Sequence, residues 1–575
     1  MKRYWKYIRP YIQYYILGPC FMMMEVVGDV LLPYMLAKII NQGIAERNVV
    51  YIIKIGVIMG FIAVIMAVGG VLGAWFASKA AMNFGADLRM DLFEKIQQFS
   101  FQNIDNFSTG SLITRLTNDI TQIQNMIMMT LRMCLRSPGI LIGAMVMAFV
   151  ISPKLAAIFI IVLPVLAVLI VVIMRRAFPQ FRTLQEKLDA LNSCIQEGLV
   201  GIRLIKSFVR GDYEEMRFEK RNQQLKEANL TAMKTMLLYT PLMTLALNIT
   251  TVVVVWAGGN MIVAGNMQVG DLTAFTNYIV QIMSSLTMLS IAFLNWARAI
   301  ASFRRVGEVL DEKIDLTDEN AKHKDRAVCE GSVEFQNVSF RYYKNSPEWV
   351  IENISFKLEA GKTLGIIGST GSGKSTLVSM IPRLYDTDEG TVLVDGINVR
   401  DYGLKPLREG IGMVLQNNTL FSGSIIENLK GGDEHADEKA VRKAAQNAQA
   451  AGFIDSFKDG YRTRLEQSGN NVSGGQKQRL CIARALLKCP KILILDDSTS
   501  AVDTATERAI REALHSEYKD MTKIIIAQRI RSVMDADEIL VLDNGKTAGF
   551  GTHEQLLADC PVYREIYDVQ NGREE

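Results

Sequence analysis

Gly368-Ser369-Thr370-Gly371-Ser372-Gly373-Lys374-Ser375 is a run of glycines and hydroxyls that closes on a lysine and a serine. Glycines let the backbone turn tightly, so that successive N–H groups can surround phosphate oxygens; Lys374 then reaches the outer phosphates and Ser375 can ligand Mg²⁺. Further along, the apolar run 492–495 ends in Asp496 and Asp497, which puts a carboxylate at a strand end where it can hold Mg²⁺ through water. Between these two elements stands Val472-Ser473-Gly474-Gly475-Gln476. ATP with Mg²⁺ is the ligand pair that this chemistry implies.

A phosphate loop works only where it leaves a strand and opens a helix. Residues 363–367 read as that strand and 376–380, from Thr376 onward, as that helix. Short β-rich runs at 333–340, 363–367, 492–495, 524–526 and 539–542 alternate with helical stretches, the pattern of an α/β domain. Asn544-Gly545 marks a hairpin turn between two late strands.

Ahead of that domain the chain changes character. With 575 residues, more than one core is expected, and 49% hydrophobic against 21% charged residues suits a protein that is part membrane, part water-soluble. Six mostly apolar stretches, near 14–40, 52–78, 134–152, 155–175, 237–263 and 272–296, are long enough to span a bilayer. Two long polar loops join spans two to three and four to five. They carry Lys79, Arg89, Lys95, Arg115, Arg175, Arg176, Lys206 and Arg210, so they and both termini are expected on the cytosolic side of the cell membrane. Apolar spacing at Leu88, Leu92, Ile96 and at Leu184, Leu188, Leu191, Ile195 makes these loops helical extensions, with breaks near 103–110 and 209–213. The basic, aromatic segment 1–10 reads as an interfacial helix. A net charge of +3 gives no case for nucleic acid, and seven cysteines without a C-x-x-C pair read as free thiols.

One intramembrane feature is pointed. Glu25 and Asp29 lie four residues apart in the first span, on one helix face, and carboxylates there line a cavity or pair with something. They are candidates for a cation-contacting face, with a wet outward vestibule as the alternative. The Met22-Met23-Met24 run offers an adaptable apolar surface or plain helix filler.

In this order and spacing, the loop 368–375, the segment 472–476 and the Asp496 strand resemble the signature set of ABC transporters, and the layout of six spans then one nucleotide domain resembles a half-size exporter over nearly the whole chain. The resemblance implies an all-α six-helix transmembrane bundle with long cytosolic extensions (1–310), a linker (311–330) and an α/β P-loop ATPase domain of ABC type (331–575). It implies that Tyr342 stacks on adenine, with Tyr343 a competitor, that Gln416 touches Mg²⁺ and the attacking water, and that Asp503 crosses between two ATP sites. The breaks near 103–110 and 209–213 resemble coupling helices.

The chain departs from the family at two catalytic positions. Asp497 stands where the family has the glutamate that activates water; one methylene less withdraws the carboxylate by roughly an ångström, a misplacement worth roughly 10²-fold in rate. Gln528 replaces the switch histidine and cannot carry positive charge. Gln467, beside Glu466, is a milder change before the signature. ABC sites are composite, with the phosphate loop of one chain facing the signature of the other. The expectation is therefore a heterodimer with a different half-transporter: Lys374, Asp496, Asp497, Gln416 and Gln528 form a slow site, while Ser473, Gly474, Gly475 and Gln476 complete the partner's. Drug-like amphipathic molecules or lipids are the expected cargo; the absence of an extra N-terminal domain argues against a peptide exporter that trims its cargo. An ATP-gated regulatory or channel-like protein, or a homodimeric flippase, is the alternative.

Overall fold

Five helices are long and apolar enough to cross a membrane, by length and composition and among the described residues: Trp5–Ile44, Val49–Gln97, Thr109–Ile151, Pro153–Val200 and Gly211–Val263. The computed structural model describes residues 2–344, 346–498 and 502–571. A sixth long helix, Val269–Asp311, covers residues 272–296, where a sixth span is expected, and is not among those five. Side chains at 290, 291, 293–295, 297 and 298 lie outside the described residues, as do Ser500 and Ala501 ahead of Asp503. By contacts the chain divides into two units, Met1–Gln97 with Gly110–Asp311, and Gln98–Thr109 with Glu312–Glu575.

In the first unit we label α1 (Ile12–Lys38), α2 (Val49–Gln97), α3 (Arg136–Ile151), α4 (Pro153–Val200), α5 (Tyr239–Val263) and α6 (Val269–Asp311). α2 and α4 run for 49 and 48 residues. At about 1.5 Å per residue each is more than twice as long as a hydrocarbon core of about 30 Å is thick, so the polar loops of the sequence are helices that outrun the membrane.

In lipid, helices gain little from hiding apolar surface from one another and associate instead through close packing of small residues. α1 and α2 do this: a Cβ on Gly69 would sit 3.0 Å from the Phe21 carbonyl oxygen, and one on Gly73 would sit 2.5 Å from Met22 Cε. Met22 is therefore buried here while Met24 is exposed, so the Met22-Met23-Met24 run does not form one continuous binding face. Further in, Phe159 of α4 stacks on Phe275 of α6 at 5.5 Å among Ala37, Ala144, Ala148 and Ala156. At the polar end, a π-helical turn Arg115–Asp119 meets α6: the Asp119 carboxylate accepts from Ser302 Oγ at 2.8 Å and Arg305 Nε at 2.8 Å, and Arg115 pairs with Glu308 at 3.1 Å.

The segment before α1 is a helical turn, Trp5–Ile8, between two 3₁₀ turns. Trp5 is exposed, while Tyr7 is buried and donates to Asp91 at 2.9 Å. The first loop tip is the short helix Phe101–Asp105, held by a capping box between Ser100 and Asn103. The second tip breaks near the expected 209–213: Val209, at φ +53°, separates the short helix Ile202–Ser207, which follows Gly201 at the end of α4, from the next helix Gly211–Leu237.

The second unit is built on two sheets. β1 (Val333–Phe340), β2 (Ile351–Leu358), β4 (Glu389–Val394) and β5 (Ile397–Asn398) form an antiparallel sheet in the order β2-β1-β4-β5. The larger sheet takes β3 (Thr363–Gly368), β6 (Ile411–Val414), β7 (Ile492–Asp496), β8 (Thr522–Ile526), β9 (Glu538–Asp543) and β10 (Lys546–Gly551) in the order β10-β9-β3-β8-β7-β6. All its pairs are parallel except β9 with β10. Asn544 and Gly545 close that hairpin at φ +46° and +78°, the pair of left-handed residues that a two-residue turn between twisted strands requires. All seven cysteines are free thiols.

Candidate active site

Strand order decides where the chemistry collects. β6, β7, β8 and β3 are parallel neighbours, so their carboxyl ends line one edge, where open α/β sheets bind ligands. Gln416 lies just after β6, Asp496 and Asp497 at the end of β7, Gln528 just after β8, and Gly368 at the end of β3. The ladder fixes the alignment: Ile526 pairs with both Asp496 and Ile366.

After β3 the glycines shape the loop, with Gly371 at φ +86° and Gly373 at φ +89° leading into α7 (Lys374–Ser379). A Cβ on Gly371 would meet nothing within 4 Å, so the loop is open on that side, whereas one on Gly373 would strike Ile351 Cγ2 at 2.6 Å. Lys374 Nζ donates to the carbonyls of Gly368 (2.9 Å) and Ser369 (2.7 Å) and to Ser372 Oγ (3.4 Å). Thr370 is exposed on the loop, and Thr376 is buried in the first turn of α7. Ser375 Oγ donates to Asp496 Oδ1 at 2.9 Å. A hydroxyl and a carboxylate held together are hard oxygen donors of the kind Mg²⁺ takes, and the open glycine loop beside an ammonium suits phosphate. The residues present fit ATP with Mg²⁺.

Asp497 sits at φ +46° with its amide donating to the Ile526 carbonyl at 3.1 Å. Its carboxylate accepts from Gln528 Nε2 at 2.8 Å and also from the Gln416 amide. Burial pushes both aspartates above the usual carboxylate range; the Ser375 hydroxyl opposes this at Asp496, and the two glutamine amides oppose it at Asp497. Burial also lowers Lys374, against the pull of Asp497 and Asp496. A cavity of about 610 Å³ opens beside this pair, lined by Asp497, Thr504, Gln528 and Arg529 among others.

Tyr342 meets the same loop from the antiparallel sheet. Its hydroxyl is 2.8 Å from Thr376 Oγ1, and its ring lies edge-on to Phe340 and Tyr385 at 5.1 and 5.4 Å. Tyr343, at 75% exposed, has no such tie. Tyr385, which the sequence analysis passed over, also donates to Asp105 Oδ2 at 2.9 Å in the short helix Phe101–Asp105 and lies 5.9 Å from the Phe101 ring. The aromatic set thus runs from the phosphate loop to a segment far away in sequence, a relation that no local pattern carries.

The signature residues are not gathered with the others. Ser473 caps α8 (Gly474–Leu487) in a reciprocal box, accepting from Gln476 N at 3.3 Å while Gln476 Oε1 accepts from Ser473 N at 2.9 Å. α8 packs in a separate apolar cluster with Val441, Ala444 and Ile454, whereas α7 belongs to the cluster under β1 and β3. Gly474 and Gly475 form the first turn of α8. Gln467 falls in a tight turn beside Ser468 (φ +57°), where Asn471 braces Glu466 and Arg464. Asp503 caps α9 (Thr504–Glu517), accepting from Thr506 N at 3.0 Å, which holds its carboxyl below the ordinary range.

In the membrane unit, Glu25 and Asp29 of α1 share one partner. Arg136 Nη2, on α3, is 2.8 Å from Glu25 Oε1 and 3.4 Å from Asp29 Oδ2, and Gln281 of α6 donates to the Asp29 carbonyl at 2.7 Å. Sequence reasoning named the carboxylates and not the arginine, although a lone cation at the start of an apolar span was the available signal. The carboxylates are therefore engaged rather than free.

A glycine phosphate loop, an Asp-terminated neighbouring strand and a capped Ser-Gly-Gly-Gln helix, preceded by apolar helices long enough to cross a bilayer, define a membrane-embedded ATP-binding transport protein. Residues 15–286 match the model of the ABC transporter transmembrane region and 351–500 that of the ABC transporter domain. The chain belongs to the ABC transporter family. It is 39% identical to the uncharacterized ABC transporter ATP-binding protein YfiB of Bacillus subtilis (strain 168), over 100% of this chain and 99% of that protein. It is 36% identical to the uncharacterized Rv1273c of Mycobacterium tuberculosis (98% and 97% covered) and 33% identical to YgaD of Bacillus subtilis, which is named provisionally as a multidrug export ATP-binding/permease protein (99% and 99%). A solved bacterial Atm1-family ABC exporter with ATP bound shares the fold, with TM-score 0.81 and 98% of each chain covered at 24% identity.

Proposed function

We propose that this chain is one half of a heterodimeric ABC exporter, contributes a slow ATP site of its own, and completes a working site in its partner. The observation that carries the reading is the pair Asp497 and Gln528, which hydrogen-bond each other at 2.8 Å where a water-activating carboxylate and a charged switch would act. ATP would be held by residues 368–376 and Tyr342, and Mg²⁺ by Ser375, Asp496 and Gln416; the nucleotide would supply the γ-phosphoryl group that passes to water with ADP as the leaving group, and the metal would compensate the charge. Asp497 can orient water, but from a shorter side chain already occupied by two amides, and Gln528 donates a hydrogen bond without adding positive charge. Ser473, Gly474, Gly475 and Gln476, capped within their own helix, are free of these changes and face outward to a second nucleotide domain, with Asp503 as the crossing residue.

Cargo is read from the membrane unit. The cluster of Glu25, Asp29 and Arg136 holds one carboxylate more than it has cations, which favours cationic or zwitterionic amphipathic molecules, lipids included. Vesicle uptake against a gradient separates pumping from gating, because a gate only equilibrates. The direct test of the slow site is Asp497→Glu with Gln528→His in the assembled pair. ATP turnover should rise about tenfold or more; unchanged turnover would sink the slow-site reading.

A further inference from the structure

Beyond β8 the chain 527–532 leaves the sheet, and its path is set by side chains of the C-terminal helix α10 (Pro561–Asn571). The near end of α10 is fixed in the core: Tyr563 is fully buried, its hydroxyl 2.7 Å from His553 Nδ1, and Ile566 and Tyr567 pack against the cluster that holds Ala527, Ile530 and Val533. The far end presents Gln570. Its Oε1 accepts the Ile530 N–H at 2.8 Å, and its Nε2 donates to the Gln528 carbonyl at 2.7 Å. One amide thus brackets the main chain on both sides of Arg529. Two further contacts hold the same segment, Arg531 Nη2 to Asn571 Oδ1 at 3.3 Å and Arg511 Nη1 to the Arg531 carbonyl at 2.7 Å.

We infer that Gln570 is a positioning residue for the nucleotide site, acting through Gln528. The inference rests on reading Gln528 as the switch residue. Gln528 is exposed, and the last tie to the sheet before it is the Ala527 N–H to the Ile366 carbonyl at 3.2 Å, so past that point the direction of its Cα–Cβ bond follows from where the Gln570 amide holds its carbonyl and the Ile530 N–H. That direction places Gln528 Nε2 on Asp497. The pairing is chemically demanding. A carbonyl and an N–H two residues apart need a donor and an acceptor on one short group, which a primary amide provides. A carboxylate at 570 would keep the Ile530 bond but repel the Gln528 carbonyl, and a thioether would keep the volume and lose both bonds.

The test uses the full chain in lipid nanodiscs and reads release of a fluorescent ATP analogue, with hydrogen exchange of the 527–532 amides alongside. Gln570→Met and Gln570→Glu should each speed release about fivefold, the worth of one or two hydrogen bonds. Gln570→Met should expose the Ile530 amide to exchange, which Gln570→Glu should leave protected. In a Gln528→Ala background neither change at 570 should speed release further, because the residue through which it acts is gone. The same factor in both backgrounds, or unchanged release with Ile530 exposed, overturns the inference and leaves the switch reading standing. If Gln528→Ala itself leaves release unchanged, both fall. Gln570→Glu, which retains one bond, keeps the comparison usable if Gln570→Met unfolds the helix end.

Discussion

Two regions of one domain, the phosphate-loop edge of the larger sheet and the Ser-Gly-Gly-Gln helix, are built in different ways. The phosphate half, at the carboxyl ends of β3, β6, β7 and β8, gathers Lys374, Ser375 and Asp496 and, on the proposed reading, places Asp497 and Gln528 at the water-activating and switch positions. The signature half, residues 473–476 on α8, keeps its capping box and packs on its own apolar cluster. On the proposed reading, binding and chemistry separate: the chain would hold nucleotide without hydrolysing it quickly, and would still present a signature to another chain's nucleotide.

The largest effect should come from attacking what both functions of the phosphate half share. Lys374→Ala should weaken binding of a fluorescent ATP analogue by roughly 10- to 100-fold, the usual worth of a charge-assisted hydrogen bond; retention within a factor of two would detach Lys374 from the phosphates. Next, the asymmetry can be read in the assembled pair. Gly475→Asp puts a carboxylate where the signature should meet the partner's nucleotide, and should cut turnover by about 10²-fold. Asp497→Asn should cut it by no more than about threefold, since little flux passes through that site. Equal losses would erase the distinction between the halves.

In the membrane unit, Arg136→Gln leaves Glu25 and Asp29 facing each other without a cation. The melting temperature in nanodiscs should fall by several degrees, and adding Glu25→Gln should recover part of the loss. Additive losses would mean that the ion pairs contribute nothing jointly. The smallest effect concerns pH. The Asp496 and Asp497 carboxyls are raised by burial, so their contribution to apo stability is fullest below the ordinary carboxylate pKa and is lost as pH rises through the raised values. Mg²⁺ needs the ionised form, so Mg²⁺–nucleotide affinity should weaken as pH falls through those raised values, earlier than an ordinary carboxylate would give. Asp496→Asn should flatten that dependence; an unchanged slope would place the titration elsewhere.

What could be read from the sequence tracks how local the relation is. The loop 368–375 is a contiguous run whose strand and helix are its immediate neighbours, and Asp496, Asp497 and Gln528 close short apolar runs, so the strand ends were legible from the sequence, whereas the strand order that brings them to one edge was not. Five of the six expected spans were legible because length and apolarity suffice. Arg136 against Glu25 and Asp29 was not, since it joins α1 to α3 across more than a hundred residues, and neither was Tyr385 against Asp105 nor Gln570 against Gln528. The break at Val209 was legible as a turn, whereas the short helix Ile202–Ser207 that follows Gly201 was not. Side-chain contacts between distant segments follow from packing, which no spacing rule encodes.

The central claim is that the phosphate half of this chain is slow on its own, and Mg²⁺-dependent ATP hydrolysis by this chain purified alone in lipid nanodiscs, beside a Lys374→Ala control, tests it most directly. The account predicts turnover indistinguishable from the control. Robust turnover that disappears in Lys374→Ala would contradict it, and would mean that Asp497 serves as the base in a homodimer.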